Sequence, residues 1–469
     1  MFELAIDELT AIISRNSWVS ELAGILPLSA LIEFIDLPPK LHIYQLAGFA
    51  ALWNFPITPA GSRLLLSSKD SFLDPNCYLD RFGNSIGLLG LDGRYGSRYY
   101  ISSPETTRMC LRVHPAHIIK NSHDNMKGDD LRLQNLEIIH VSRFQPHPRR
   151  GPPSSWPRRI RLQSMRMILA HICGWIVLLA MIVMSGILQI WLSLAFLVLM
   201  PITGVVVLGI HGSNPRRLLV EKPTRWNRLI LVAEHENTTN WMAFYGETTI
   251  LNSLLNRPLK PLGSGERTPL TTMLRMVLRV LILGQWAIVL GAAAVKNWNA
   301  YFITFWIAFC IFMQAYVMPP EQGAKEWMKS YAGIQIQRYH TTLSSRRALL
   351  NTIIALNPDT FSLLPGTDQD NRDNFAPGAM KWIDPILGTG PERVKWEEAT
   401  LKAMNDITTH FPPEKTKNQE SNVPSAEWKE DYKKEFWAPF ILEGIYMAAK
   451  LREEANLPGR TNYHKPNDV

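Results

Sequence analysis

The sequence predicts a multi-pass α-helical membrane protein, with four transmembrane helices as two hairpins, a cytosolic α+β N-terminal region and a mostly helical C-terminal region. Two nearly uncharged windows and the basic residues around them point to this architecture. Residues 165–210, 46 positions, hold a single charged side chain, Arg166 at the edge. Residues 273–318 hold only Arg275, Arg279 and Lys296. A helix crossing about 30 Å of hydrocarbon needs roughly 20 apolar residues, so each window is long enough for two. Whole-chain averages hide this: 46% apolar residues, 19% charged residues and 49 Lys+Arg against 41 Asp+Glu, a net +8, are values ordinary for a soluble protein.

Taken in order, residues 1–140 alternate short apolar runs with turn signals. The chain opens with Glu3, Asp7 and Glu8 among apolar residues, so no cleaved signal peptide is expected. Residues 18–59 are apolar in patches, interrupted by Glu21, Glu33, Asp36, Lys40 and the Leu37-Pro38-Pro39 break, and read as core or interfacial helices and not a span. Gly87-Leu88-Leu89-Gly90-Leu91 and Arg98-Tyr99-Tyr100-Ile101 flank Asp92-Gly93 as a β-hairpin. Residues 109–113 are a strand candidate, followed by His117-Ile118-Ile119 and a polar loop ending in Leu131-Arg132-Leu133-Gln134-Asn135-Leu136. A small α+β domain fits this pattern. Residues 141–166 form a Pro/Arg-rich linker, with Arg143, Arg149, Arg150, Arg158, Arg159, Arg161 and Arg166 and no acidic residue.

Backbone groups in hydrocarbon must be paired internally, which favours helical hairpins. The first, 167–210, is expected to turn near 185–189, with Pro201 kinking its second helix. The second, 273–318, breaks at Lys296-Asn297-Trp298-Asn299. Trp191, Trp298 and Tyr301 near the tips suit the headgroup layer. Between the hairpins lies a cytosolic insert, 211–272, with strands at 228–235 and 241–245 and a helix at about 248–255. Residues 319–469 are mostly helical, with patterns at 325–339, 345–356, 391–407 and 430–454 and a Pro-, Lys- and Glu-rich stretch at 411–426 expected to be mobile.

Short basic flanks favour the cytosol. Arg216, Arg217, Lys222, Arg225 and Arg228 follow the first hairpin, and Arg267, Arg275, Arg279, Lys325 and Lys329 bracket the second. Both termini and the insert are therefore expected in the cytosol, with the protein in the endoplasmic reticulum or another endomembrane. Asn237-Thr238-Thr239 is a glycosylation acceptor that this topology leaves unmodified. The expected partners are the lipid bilayer, anionic headgroups at the basic linker, and a homo-oligomer or protein partner. Much of the positive charge lies at membrane flanks, so no nucleic-acid partner is expected.

Chemistry-bearing motifs are sparse. Cys77, Cys110, Cys173 and Cys310 show no disulfide or zinc spacing. His114, His117 and His123, upstream of Asn135, resemble the histidine-plus-asparagine ending of HNH-type nucleases, without that family's adjacent histidine pair. His235-Glu236 lacks the second histidine of HExxH, position 239 being Thr. Gly263-Ser264-Gly265 and Gly388-Thr389-Gly390 lack the Walker lysine. No Asp or Glu lies within the four spans, where Gln189, Gln285 and Gln314 read as interhelical hydrogen-bond partners. The catalytic residues stay unknown, and no cofactor or metal ligand is assigned.

Three further phrases carry a family resemblance: Asn240-Trp241-Met242-Ala243-Phe244-Tyr245-Gly246-Glu247, Leu251-Asn252-Ser253-Leu254-Leu255-Asn256-Arg257-Pro258-Leu259 and Lys381-Trp382-Ile383-Asp384-Pro385-Ile386-Leu387. In these, over about residues 220–469, the chain resembles uncharacterised multi-pass integral membrane proteins of filamentous fungi. The resemblance implies a fungal membrane protein, encoded beside biosynthetic genes for a secondary metabolite, and supplies no active site. The expected role is a non-catalytic accessory, scaffolding or transport-related one; the alternative is a membrane-bound enzyme acting on a lipophilic substrate.

Overall fold

The structure, a computed structural model, describes residues 2–31, 37–47, 51–55, 79–80, 87–123, 126, 132–144, 165–212, 215–219, 223–224, 226–261, 269–360, 380–410, 431–432 and 434–457. Most of the basic linker and the 411–426 stretch lie outside them.

Three helices open the chain: α1 (Phe2–Arg15), α2 (Ser17–Leu31) and α3 (Leu37–Ala47). The hairpin around Asp92-Gly93 forms as expected, with β1 (Leu89–Asp92) antiparallel to β2 (Arg98–Tyr100). Residues 109–113 are not a strand. They end helix α4 (Pro104–Arg112), which starts with a proline in its first turn and Glu105 beside it, a combination that favours helix initiation. Strands β3 (Ala116–Ile118) and β4 (Gln134–Arg143) follow, the latter running into the stretch read as linker.

Among the described residues four helices are long and apolar enough to cross a membrane: Met167–Ile187, Trp191–Ile210, Thr272–Val295 and Trp298–Val317. They belong to α5 (Met165–Ile187), α6 (Trp191–Val207), which a π turn (Leu208–Gly212) extends, then α8 (Pro269–Val295) and α9 (Trp298–Phe312), extended by a π turn at Met313–Val317. Both tips use a residue of positive φ, Gln189 (56°) and Lys296 (53°). The tips meet, the Asn299 side-chain oxygen accepting from Ser193 N at 2.9 Å. Asn297 caps α9 by accepting from Asn299 N.

The insert between α6 and α8 contributes β5 (Arg216–Arg217), β6 (Asn227–Ala233), β7 (Asn240–Glu247), the one-turn helix α7 (Thr248–Leu251) and β8 (Lys260–Pro261). Beyond α9 the expected helix over 325–339 is instead α10 (Pro320–Trp327), a π turn (Met328–Ala332) and strand β9 (Ile334–Leu343). Gly333, at φ 63°, ends the helical part, and Ile334-Gln335-Ile336-Gln337 then alternates with the period of a strand. The last helices are α11 (Arg346–Leu356), capped by Ser345, then α12 (Pro391–His410) and α13 (Ala438–Glu454).

Seven strands form one mixed sheet in the order β2-β1-β6-β7-β4-β9-β3. The β7/β4 and β9/β3 pairs are parallel and the others antiparallel. The sheet is thus built from three stretches of chain that the two helical hairpins separate. It is buried on both faces, which explains the unbroken apolar run Leu229-Ile230-Leu231-Val232-Ala233. Leu229, Leu231, Trp241, Ala243, Leu136 and Ile138 pack under α11, α12 and α13. Ile230, Val232, Phe244, Ile139 and Val141 face the other way, toward α3, α4, α7 and α10. The result is a three-layer α/β/α module seated at the open end of the helix bundle.

Candidate functional site

Polar groups concentrate where α3 joins the bundle. Residues 51–55 are not helical, yet Trp53, Asn54 and Phe55 are buried among α5, α6, α8 and α9. Two glycines make the room. A Cβ built on Gly174 of α5 would lie 2.0 Å from Trp53 Cε2, and one on Gly204 of α6 would lie 2.3 Å from Leu52 O. Trp53 then packs edge-on to Trp306, ring centroids 6.0 Å apart, and against Phe309 at 5.7 Å.

An irregular backbone buried this way needs partners for its carbonyls. Lys40, reaching from α3, donates its Nζ to Asn54 O and, at 3.2 Å, to Asn54 Oδ1. Gln285 Nε2 donates to Phe55 O at 3.3 Å and to Thr203 Oγ1 at 2.9 Å. Asn54 Nδ2 in turn donates to Cys310 O at 3.2 Å. Lys40 Nζ also lies 4.1 Å from the centre of the Phe55 ring, a cation–π distance. The contacts of the buried Lys40 amine are thus two carbonyl oxygens of Asn54 and the Phe55 ring, all neutral.

The opposite side of α3 carries a second network. Leu79 N donates to His42 Nδ1 at 3.1 Å, so Nε2 bears the ring proton and meets Thr106 Oγ1 at 2.8 Å. The Thr106 hydroxyl donates to Asp80 Oδ2 at 2.9 Å, and Asp80 Oδ1 accepts from Glu105 N and Thr106 N. Burial lifts the Asp80 carboxyl to about 6 against the pull of these donors. The residue types are those of a hydrolytic triad. However, Thr106 and His42 are fully enclosed, and the arrangement instead caps the N-terminus of α4 with a carboxylate.

The residues that resemble an HNH ending do not converge. His117 Nε2 lies 3.2 Å from Glu454 Oε2, His123 packs against Tyr446, and the Asn135 side chain donates to Asn240 Oδ1 at 2.8 Å. Desolvation, then Lys325, Arg338 and Lys329, hold the His114 pKa below its ordinary value. Among the described residues no three His, Cys, Asp or Glu side chains are grouped to hold a metal. His235 and Glu236 lie in the β6–β7 turn, where Glu236 pairs with Arg98. Gln285 is the interhelical partner the sequence suggested. Sequence reading missed Lys40, seen only as an interruption, together with Asn54, Gly174 and Gly204; the signal available was a glycine in mid-helix, Gly174 in α5 and Gly204 in α6, facing no obvious need.

No family model matches the chain, and neither a curated protein nor a solved structure matches it.

Proposed function

We propose that the chain is an integral membrane protein whose two helical hairpins hold the α/β/α module against the cytosolic face of an endomembrane, such as that of the endoplasmic reticulum, as a non-catalytic accessory, scaffolding or transport-related component. The observation that carries this reading is the sheet itself. Its strands come from before the first hairpin, between the hairpins and after the second, so the module is tied to the bundle at every connection. Apolar side chains exposed along each long helix support insertion: Leu169, Ile176 and Val183 on α5, Val198 and Val205 on α6, Leu283 and Leu290 on α8, Phe305 and Phe312 on α9. A surface of this kind fits acyl chains and not water. Arg217, Lys325 and Lys329 are basic and exposed at the module end, where the positive-inside rule puts the cytosol and anionic headgroups or a protein partner can bind. A fungal origin and service to a biosynthetic pathway rest on the resemblance at residues 240–247, 251–259 and 381–387.

The test is extraction of membranes with alkaline carbonate, combined with protease treatment of sealed vesicles carrying tags in the insert and at the C-terminus. Retention in the pellet with both tags digested, and no glycan on Asn237, is the expected result. Release by carbonate or protection of either tag overturns the reading.

The enzyme alternative, acting on a lipophilic substrate, draws on Lys40, since ionisable groups inside a membrane bundle mark functional sites more often than structural ones. If the lysine only serves Asn54 O, Lys40→Met leaves a buried carbonyl unpaired and lowers the melting temperature in detergent, by the equivalent of about 1–3 kcal/mol. An unchanged or raised melting temperature with a precursor accumulating in cells favours the enzyme.

A further inference from the structure

Helix α2 is too short to be counted among the four long apolar helices, yet its position relative to them is informative. It packs against both α8 and α9, more extensively than those two helices pack on each other. Its first half lies at the tips of the hairpins: Tyr301 Oη, one turn into α9, donates to Val19 O at 2.6 Å, and a Cβ on Gly24 would lie 3.2 Å from Lys296 Cε and 3.5 Å from Ala293 O. The following helix, α3, lies at the other end. Leu41 is buried with Ile210 and Leu278, and Ile43 touches the Gly323 position of α10, beneath the sheet. From Tyr301 to the end of α9 and its π turn is 16 residues, about 24 Å at 1.5 Å per residue. Val19 and Ile43 therefore lie at opposite ends of the bundle, one at the tips and the other at the module.

The outer face of α2 continues the apolar surface of its neighbours. Trp18 (62% exposed), Leu22 (38%), Ile25 (62%) and Leu28 (37%) recur at helical spacing on the side away from α8 and α9. Ala23 and Pro27 face inward. Trp18 stands at the tip level, where an indole suits the headgroup layer. Glu21, the one charge of α2, is exposed within a turn of the tip contacts, close enough to reach water there. Before it, Glu3, Asp7, Glu8 and Arg15 leave the opening segment acidic, whereas the exposed basic residues Arg217, Lys325 and Lys329 lie toward the module.

We infer that α2 is a fifth membrane-embedded helix whose Trp18–Leu22–Ile25–Leu28 face contacts lipid acyl chains, so that α1 and the N-terminus stand on the side of the membrane opposite the α/β/α module. This rests on the membrane reading above, and it departs from the expectation that both termini share the cytosol. The acidic opening segment takes the far side, as the positive-inside rule prefers.

The experiment is the full chain with an N-terminal tag and, separately, a C-terminal tag, in sealed microsomes treated with protease before and after carbonate extraction. Protection of the N-terminal tag with digestion of the C-terminal tag is the expected result. Digestion of both tags on a carbonate-resistant protein overturns the fifth crossing and leaves the four-span reading standing. Release by carbonate overturns the membrane reading, and the inference falls with it. A second measurement reads the packing directly. Lys296 Cγ lies 3.6 Å from a Cβ on Gly24, so a Gly24→Cys, Lys296→Cys pair is expected to form a disulfide under mild oxidation. No cross-link would remove α2 from the tips.

Discussion

Single side chains in this protein are most constrained where backbone meets backbone. At Gly204 the obstructing atom is a carbonyl oxygen, Leu52 O, and not the end of a flexible side chain, so a methyl group there must displace the buried loop. Gly204→Ala is expected to lose about 1–3 kcal/mol, the usual range for overpacking a filled core, read as a lower melting temperature in detergent. Gly186→Ala in α5, where nothing lies within 4 Å, is the control and should melt with the parent protein or slightly above it, since alanine favours the helix. A second residue-scale prediction concerns Glu247. Arg143 donates to its two oxygens at 2.7 Å each, and this pairing, helped by Thr249 and Thr224 N, holds the carboxyl down at about 2 from an ordinary 4.5. A depressed carboxyl contributes stability at pH values above its unfolded pKa and loses it as pH falls through the folded value. Between about pH 4.5 and 2 the parent protein should therefore lose stability more steeply than Glu247→Gln, measured by chemical denaturation at each pH.

Elements show which parts of the fold are local and which are not. The four long helices and the β1/β2 and β6/β7 hairpins were legible because their signals, apolar length and paired runs around a turn, sit within a few dozen residues. β4 was not. Its sequence mixes Leu136, Ile138 and Ile139 with Glu137, His140 and Arg143, and the polar members make sense only beside distant partners: Glu137 pairs with Arg338 on β9, and Arg143 with Glu247 on β7. Arg143 and Arg216 were counted among flanking charges, whereas the first is paired in the sheet and the second is buried, donating to Leu259 O. Lys40 misled for the same reason, since its partner, Asn54 O, belongs to a loop with no pattern of its own. A strand paired on both sides and covered on both faces opens only with the module. The amides of β4 are therefore expected to exchange with deuterium far more slowly than those of β2, which among the described residues has a neighbour on one side only. Equal rates would place β4 at an edge.

For the whole molecule, the sheet order means that the α/β/α module cannot be divided at the hairpins without dividing its core. β4 lies between β7 and β9, each supplied by a different later segment. In a fragment ending before α5, Leu136 and Ile138 would lose the cover of α11, α12 and α13, and Ile139 and Val141 that of α7 and α10, at up to about 1.5–3 kcal/mol per side chain, along with the ladder on both edges of the strand. A loss of this size is comparable to the whole reserve of a domain, since domains are stable by only about 5–15 kcal/mol. A fragment of residues 1–164 is thus expected to be unfolded and quickly proteolysed when made alone. Supplied together with residues 165–469, it should recover protection, because the missing strands return and the break falls between β4 and the first long helix. A fragment 1–164 that is protease-resistant and cooperatively folded by itself would show that the N-terminal strands have a core of their own.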